Sequence, residues 1–379
     1  ILFSVQGYGL IFRNFFLINA KEKEDNLGII GIYGLFFLSI ISGISYIFIN
    51  HGYIHNLVIN SLGFIYFIYF FLQKKINNRN LLIVIIFFII LFSGFLIGKT
   101  NEDFPYYHLP NSLQFSEQKL QFGLGNLNHG FKHFSSLLLI NSLFYLPFVK
   151  FYLFNITNFL FQIFFFSFLF IYLFEKNSSN FNKNFIALTL LVFLAKFNRL
   201  AEYGVDIPGQ FLVLISFIIS LETVLNKRLD DNYRNYNSLI SIILLTFAIS
   251  TKFAYSIYAL IPLFLFINLK NKKKSIFFIL KIKFFLPILI SILLLIFFNF
   301  SSTGCLIYPI SITCFSNTFD WSLNLDVVQY MNLHYEAWAK AGKGTGFNLE
   351  NLPHYVSGLN WLGNWLEIYF FNSWTYKLK

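Results

Sequence analysis

The sequence predicts an all-α protein, a polytopic transmembrane bundle of about nine spans with external loops, and three observations lead there. Of 379 residues, 56% are hydrophobic and only 12% charged, about half the charged share of a soluble globular domain. The apolar residues fall in successive runs close to the ~20 residues that cross a hydrocarbon layer. The basic residues sort into alternate connections between those runs, as orientation by Lys and Arg requires. An ordinary soluble two-domain chain is excluded. The net charge of +11, which alone suggests a polyanion partner, is read as an orientation signal, and no nucleic acid is expected as partner. The 54 Phe residues share A/T-rich codons with the abundant Ile, Asn, Lys and Tyr, so they carry no functional weight. Neither GxxxxGK[ST] nor GxGxxG after a strand is present.

Taken in order, residues 1–80 comprise a cytoplasmic N-terminal segment and two spans, 27–49 and 53–72. Residues 81–299 form the core, with spans at 81–98, 150–174, 185–198, 210–226, 238–250, 253–269 and 282–299 and an external loop at 99–134. The runs 185–198 and 238–250 are short, so either they extend into flanking polar residues or they are re-entrant. Segment 135–149 is read as an interfacial or re-entrant helix, because counting it as a span puts later basic loops on the wrong side. Residues 300–379 form an external C-terminal segment. No internal repeat stands out. A chain that begins at Ile1 and stops at Lys379 leaves open whether either end is missing.

With the N-terminus inside, 17 basic residues fall inside and 10 outside, and the inside ones crowd into short connections such as 270–275. The acids sort the other way, seven inside and ten outside. The two long polar segments and the connections near 199–208 and 250–252 then face outward.

Chemistry-bearing residues collect at those outer ends. Glu102 and Asp103, in GKTNEDFPYYHLP, lie within ~18 Å of extended chain from the end of a span. A carboxylate there, beside Tyr106, Tyr107 and His108, is placed to accept a proton from a hydroxyl attacking a lipid head group. The plainer reading is a solvated loop acid. Two adjacent acids also suit a divalent cation, but without a defined third ligand the metal signal is weak. In KFNRLAEYGVDIPGQ, Lys196, Arg199, Glu202 and Asp206 sit between two apolar runs, and Gly204 with Pro208 favours a turn. Arg199 either grips a phosphate through its fork of donors or pairs with Glu202. Lys252 interrupts a stretch otherwise free of charge, which marks it for function or for snorkelling to head groups. Cys305 and Cys314 lie on the outer side and are expected to form a disulfide. All five Trp residues lie between 321 and 374, as an aromatic belt or interfacial helix would have them.

The order of motifs, NEDFPYYHLP, then GLGNLNHGFKHFSSLLLINSLF, then RLAEYGVDIPGQ and STGCLIYPI, resembles the GT-C superfamily of integral membrane glycosyltransferases, in an uncharacterised bacterial branch. The resemblance covers roughly residues 81–372. It implies a GT-C-like fold and an inverting transfer of a sugar from a polyprenyl-phosphate carrier to a glycan, lipid or protein acceptor. The setting implied is the outer face of the bacterial inner membrane, in cell-envelope glycan or glycolipid modification. Asp103 then matches the general base, with Glu102 as neighbour or substitute. Tyr107 and His108 would contact substrate, Glu202 and Asp206 match a second acidic loop loosely, and Arg199 and Lys252 would stabilise the departing phosphate. Two spans before the one leading into the catalytic loop depart from the family's compact pattern. The rivals are a glycolipid transporter or flippase, which should hold charges near the membrane midplane, and a polymerase-like component of surface-polysaccharide assembly.

Overall fold

The computed structural model describes residues 1–17, 26–97, 103–174, 179–195, 204–269, 272–344, 347–348 and 351–371. Among the described residues the fold is all-helical apart from a two-residue antiparallel pairing of Lys343–Gly344 with Phe347–Asn348. Two compact units form, one of residues 1–120 and 134–295, the other of 121–133 and 296–379.

In the first unit the apolar runs wind into helices, which satisfy their own backbone groups where water is absent. Among the described residues six helical segments are long and apolar enough to cross a membrane. They are α2 (Leu27–Phe48), α3 (Tyr53–Leu72), α4 (Asn78–Leu96), α7 (Ile156–Leu173) with the turn before it, α9 (Asp206–Leu225) and α13 (Ile282–Thr303). The remaining three predicted runs are also helical over most of their described residues but fall short in length or apolarity. They lie in α8 (Asn180–Ala195), in α10 (Asp231–Thr251), whose first turn is polar, and in a 3-10 segment at Phe253–Ala259 that runs into α11 (Leu260–Ile267). α12 (Lys272–Ile279) follows.

The N-terminal segment adds a helix that the apolar runs do not mark. Residues Leu2–Phe16 form α1, a helix packed on both α2 and α3. Glycines permit the approach: a Cβ on Gly9 would lie 1.9 Å from the Ile30 carbonyl oxygen, and one on Gly7 1.8 Å from that of Gly63. Small residues at such crossings let backbones meet, the device of helix pairs in lipid.

α7 is the centre of this unit, touching α2, α4, α8 and α9. Its run of Phe159, Phe161, Phe164, Phe165 and Phe166 is fully buried. By contrast α3 leaves Ile54, Val58, Ile65 and Leu72 exposed, a surface suited to hydrocarbon. Segment 135–149 holds α6 (Ser136–Ser142), buried throughout, whose ~10 Å length is far too short to cross a bilayer. Asn56 ties it down by donating to the carbonyls of Ser142 and Tyr145. His51, with Nδ1 2.6 Å from Ser142 Oγ and Nε2 donating to the Ser42 carbonyl, does the same from the turn between α2 and α3.

At the other end of α9, Glu222 is 2% exposed and accepts from Ser179 N, Asn182 Nδ2 and Asn226 Nδ2. A carboxylate so held caps the N-terminus of α8, where unpaired N–H groups and the helix dipole both favour negative charge. Arg234 completes the joint, donating to the carbonyls of Thr223 in the last turn of α9 and of Asn226 and Leu229 beyond it.

The second unit is built on α14 (Leu325–Ala339). Its core joins Cys305, Tyr308, Leu323, Val328 and Met331, with Cys314 and Tyr335 packed against it. Cys305 and Cys314 form a disulfide across nine residues. Closing so short a loop restricts the unfolded chain by about 2–3 kcal/mol. The variant Cys305→Ser with Cys314→Ser is therefore expected to lower the unfolding free energy of this unit by that amount, measured by denaturant titration of the oxidised and variant proteins.

Candidate functional site

Five of the residues singled out in the sequence meet in the first unit, where several apolar helices end. Asp103 follows α4 and opens a π-helical turn, Phe104–His108, that continues into α5 (Leu109–Glu117). Pro105 stands in the first turn of this helical run, where a missing N–H does no harm and a fixed φ helps, and Pro110 stands where the π-helical turn passes into α5. Asp206 opens α9, so its charge sits at a helix N-terminus. Lys252 directly follows α10.

Hydrogen bonds carry these elements to one place. Ser112 Oγ on α5 donates to the Leu138 carbonyl of α6. Ser136 Oγ on α6 lies 2.7 Å from Ser250 Oγ, two residues before Lys252. Asn158 Nδ2 on α7 donates to the Gly204 carbonyl, fixing the turn that leads into α9. Lys252 Nζ then donates to Asp206 Oδ1 at 2.7 Å. Tyr255 secures the same corner, its hydroxyl donating to the Asp206 carbonyl at 2.6 Å. Gly209 leaves room for the Tyr255 ring, since a Cβ there would lie 2.1 Å from it.

Tyr107 stands between the two acids. Burial pushes its hydroxyl up, and the charges of Asp103 and Asp206, with a hydrogen bond to Asp103, push it further. It remains a neutral phenol. His108 is 2% exposed, and neither of its ring nitrogens has a hydrogen-bond partner. Burial pulls this imidazole down to about 4; Asp206 opposes the shift and Lys252 adds to it. An unsatisfied buried polar group costs about 1–3 kcal/mol, which a ligand group reaching His108 would recover. The pair Lys252 and Asp206, by contrast, is about half exposed on each side chain and contributes little to stability.

A pH dependence follows from His108. Unfolded, it binds a proton at its ordinary value of 6.5, and folded only at about 4. Between these values the unfolded chain holds more protons, so stability is fully present above pH 6.5 and falls with pH through this window. The expected loss is up to ~1.4 kcal/mol per pH unit. Thermal unfolding across that range should show it, and His108→Gln should remove that share.

Arg199, Glu202 and Glu102 lie outside the described residues, as does Lys196. Tyr255 was not anticipated; one aromatic among many gives no signal except its place three residues after Lys252. Among the described residues no group of three or more His, Cys, Asp or Glu is arranged to hold a metal ion.

Fold and site together define a helical bundle with, among the described residues, six helices of membrane-span dimensions and a polar cluster at helix ends. A family model described as "Domain of unknown function (DUF8201)" matches residues 1–379, and the chain belongs to that family. No curated protein and no solved structure matches it.

Proposed function

We propose that this chain is a membrane glycosyltransferase that takes a sugar from a polyprenyl-phosphate carrier at the outer face of the membrane. The meeting of Asp103, Tyr107, His108, Asp206 and Lys252 carries the reading. A lipid-linked phosphate brings its charge to the ends of apolar helices, and that is where these residues stand. Asp103, exposed and held by Tyr107, takes the proton of the acceptor hydroxyl as its oxygen attacks the anomeric carbon. The bond from that carbon to the carrier phosphate breaks, and the phosphate leaves against Lys252. Asp206 orients the ammonium beforehand. His108 offers one donor and one acceptor in its neutral form, which suits sugar hydroxyls. The Lys and Arg distribution supports the outward orientation.

The test is reconstitution of the full chain in liposomes with polyprenyl-phosphate hexoses and pentoses. Release of free polyprenyl phosphate, dependent on acceptor, is expected. Movement of intact glycolipid across the bilayer without release would overturn the reading in favour of a flippase.

A further inference from the structure

The second unit carries an apolar surface that the transfer reaction does not use. From Phe284 to Phe319 the chain holds no charged residue, a run that covers most of α13 and continues past Thr303, where the helix has ended. That continuation is the loop closed by Cys305 and Cys314, with a 3-10 turn, Ser311–Thr313, near its far end. Ile312 in this turn is 91% exposed, and Leu306, Ile310, Phe315 and Phe319 are exposed on the same short segment. Apolar groups gathered in this way mark a surface that meets a protein or a membrane.

Two observations select the membrane. The first is the backbone of the loop. Leu306 N donates to the Thr313 carbonyl, Ile307 N to Thr313 Oγ1, Ile310 N to the Ile307 carbonyl, Cys314 N to that of Ser311 and Phe315 N to that of Gly304. A loop that occupies its own N–H groups loses little when water leaves, which is what the edge of a bilayer demands. The second is the attachment of the patch. α13 is long and apolar enough to cross a membrane, and its last turns, from Ile296 on, belong to this same unit. Phe300 on those turns meets the rings of Phe315 and Phe319 at 5.8 Å each and of Trp321 at 5.2 Å. Trp321 in turn stacks on Phe319 at 5.3 Å, and Leu323 N donates to the Thr303 carbonyl. The patch is thus fixed to the end of a span, the level at which Trp settles between headgroups and acyl chains.

We propose that the disulfide-closed loop 305–314, with Phe315 and Phe319, dips into the bilayer surface beside α13, Ile312 reaching about 5–10 Å into the boundary between headgroups and acyl chains. The lipid leaflet is the partner. A protein partner is selected through charges as well as apolar contacts, and this segment offers no charge. The disulfide holds the loop in one shape, so its side chains enter lipid without the cost of ordering a loose segment. The proposal rests on α13 crossing the bilayer and is independent of the transfer chemistry.

The experiment places the full chain in nanodiscs containing a phosphatidylcholine with a photoactivatable diazirine in its acyl chain and maps the adducts by peptide mass spectrometry. Adducts are expected on α13 and on the loop peptide that holds Ile312. Ile312→Gln, at a side chain too exposed for folding to depend on it, should reduce the loop adducts at least threefold while those on α13 stay unchanged. A loop free of adducts beside a labelled α13 would overturn the proposal, leave the membrane reading intact, and point to a second copy or another protein as the cover of the patch. Adducts on neither would overturn both. Equal loop labelling in the two proteins would contradict insertion of Ile312.

Discussion

Replacing Asp103 with Asn is expected to reduce sugar transfer by 10²- to 10⁴-fold, the range that a positioned general base contributes. The change preserves shape and removes only the capacity to take a proton. Asp103 is exposed, so the fold loses little, and the unfolding midpoint should stay where it is. The neighbouring phenol should respond in a defined direction: without the charge of Asp103, one of the causes that raise Tyr107 disappears, and its ionisation should move back toward the ordinary tyrosine value. Turnover by the folded variant at the rate of the unaltered protein would remove Asp103 from the chemistry.

The second large effect concerns stability. Glu222→Ala is expected to cost about 1–3 kcal/mol, the scale of leaving buried hydrogen-bond donors unsatisfied. The carboxylate accepts from Ser179 N and Oγ, Asn182 Nδ2 and Asn226 Nδ2, and removing it leaves several of these donors buried and unpaired. Glu222→Gln should be milder, since an amide oxygen retains one or two of these bonds. A thermal or denaturant series on the three proteins checks the order. Equal stability of all three would mean that water replaces the carboxylate and that the joint among α8, α9 and α10 is not held as described.

Much of this architecture is legible in the sequence where apolarity is continuous. The run 53–72 coincides with α3, and 27–49 with α2 to within a residue. α1 was not legible because Gln6, Gly7, Gly9 and Arg13 break its apolarity, and the glycines acquire meaning only once α2 and α3 lie against them. The helical part of loop 99–134 was hidden by Pro105 and Pro110, which read as turn signals although they stand in the first turn and at the junction of one helical run. The site was visible as charges at the ends of runs: Asp103, Asp206 and Lys252 needed only topology to be placed together. What no pattern carried was the long-range wiring that brings them close, such as Ser136 to Ser250 across 114 positions. The same holds for His129 and His133, spaced as HGFKH, whose partner Tyr335 lies about two hundred residues on.

The most direct test of the central claim is the binding of polyprenyl phosphate to the full chain in nanodiscs, with and without Lys252→Met. The ammonium that holds Asp206 at 2.7 Å is the group assigned to the carrier phosphate, and as half of an exposed pair it contributes no more than about 1 kcal/mol to the fold. Saturable binding by the unaltered protein, weakened at least tenfold in the variant with its unfolding midpoint nearly unchanged, is the expected result. No saturable binding, or equal affinity in both proteins, would contradict it.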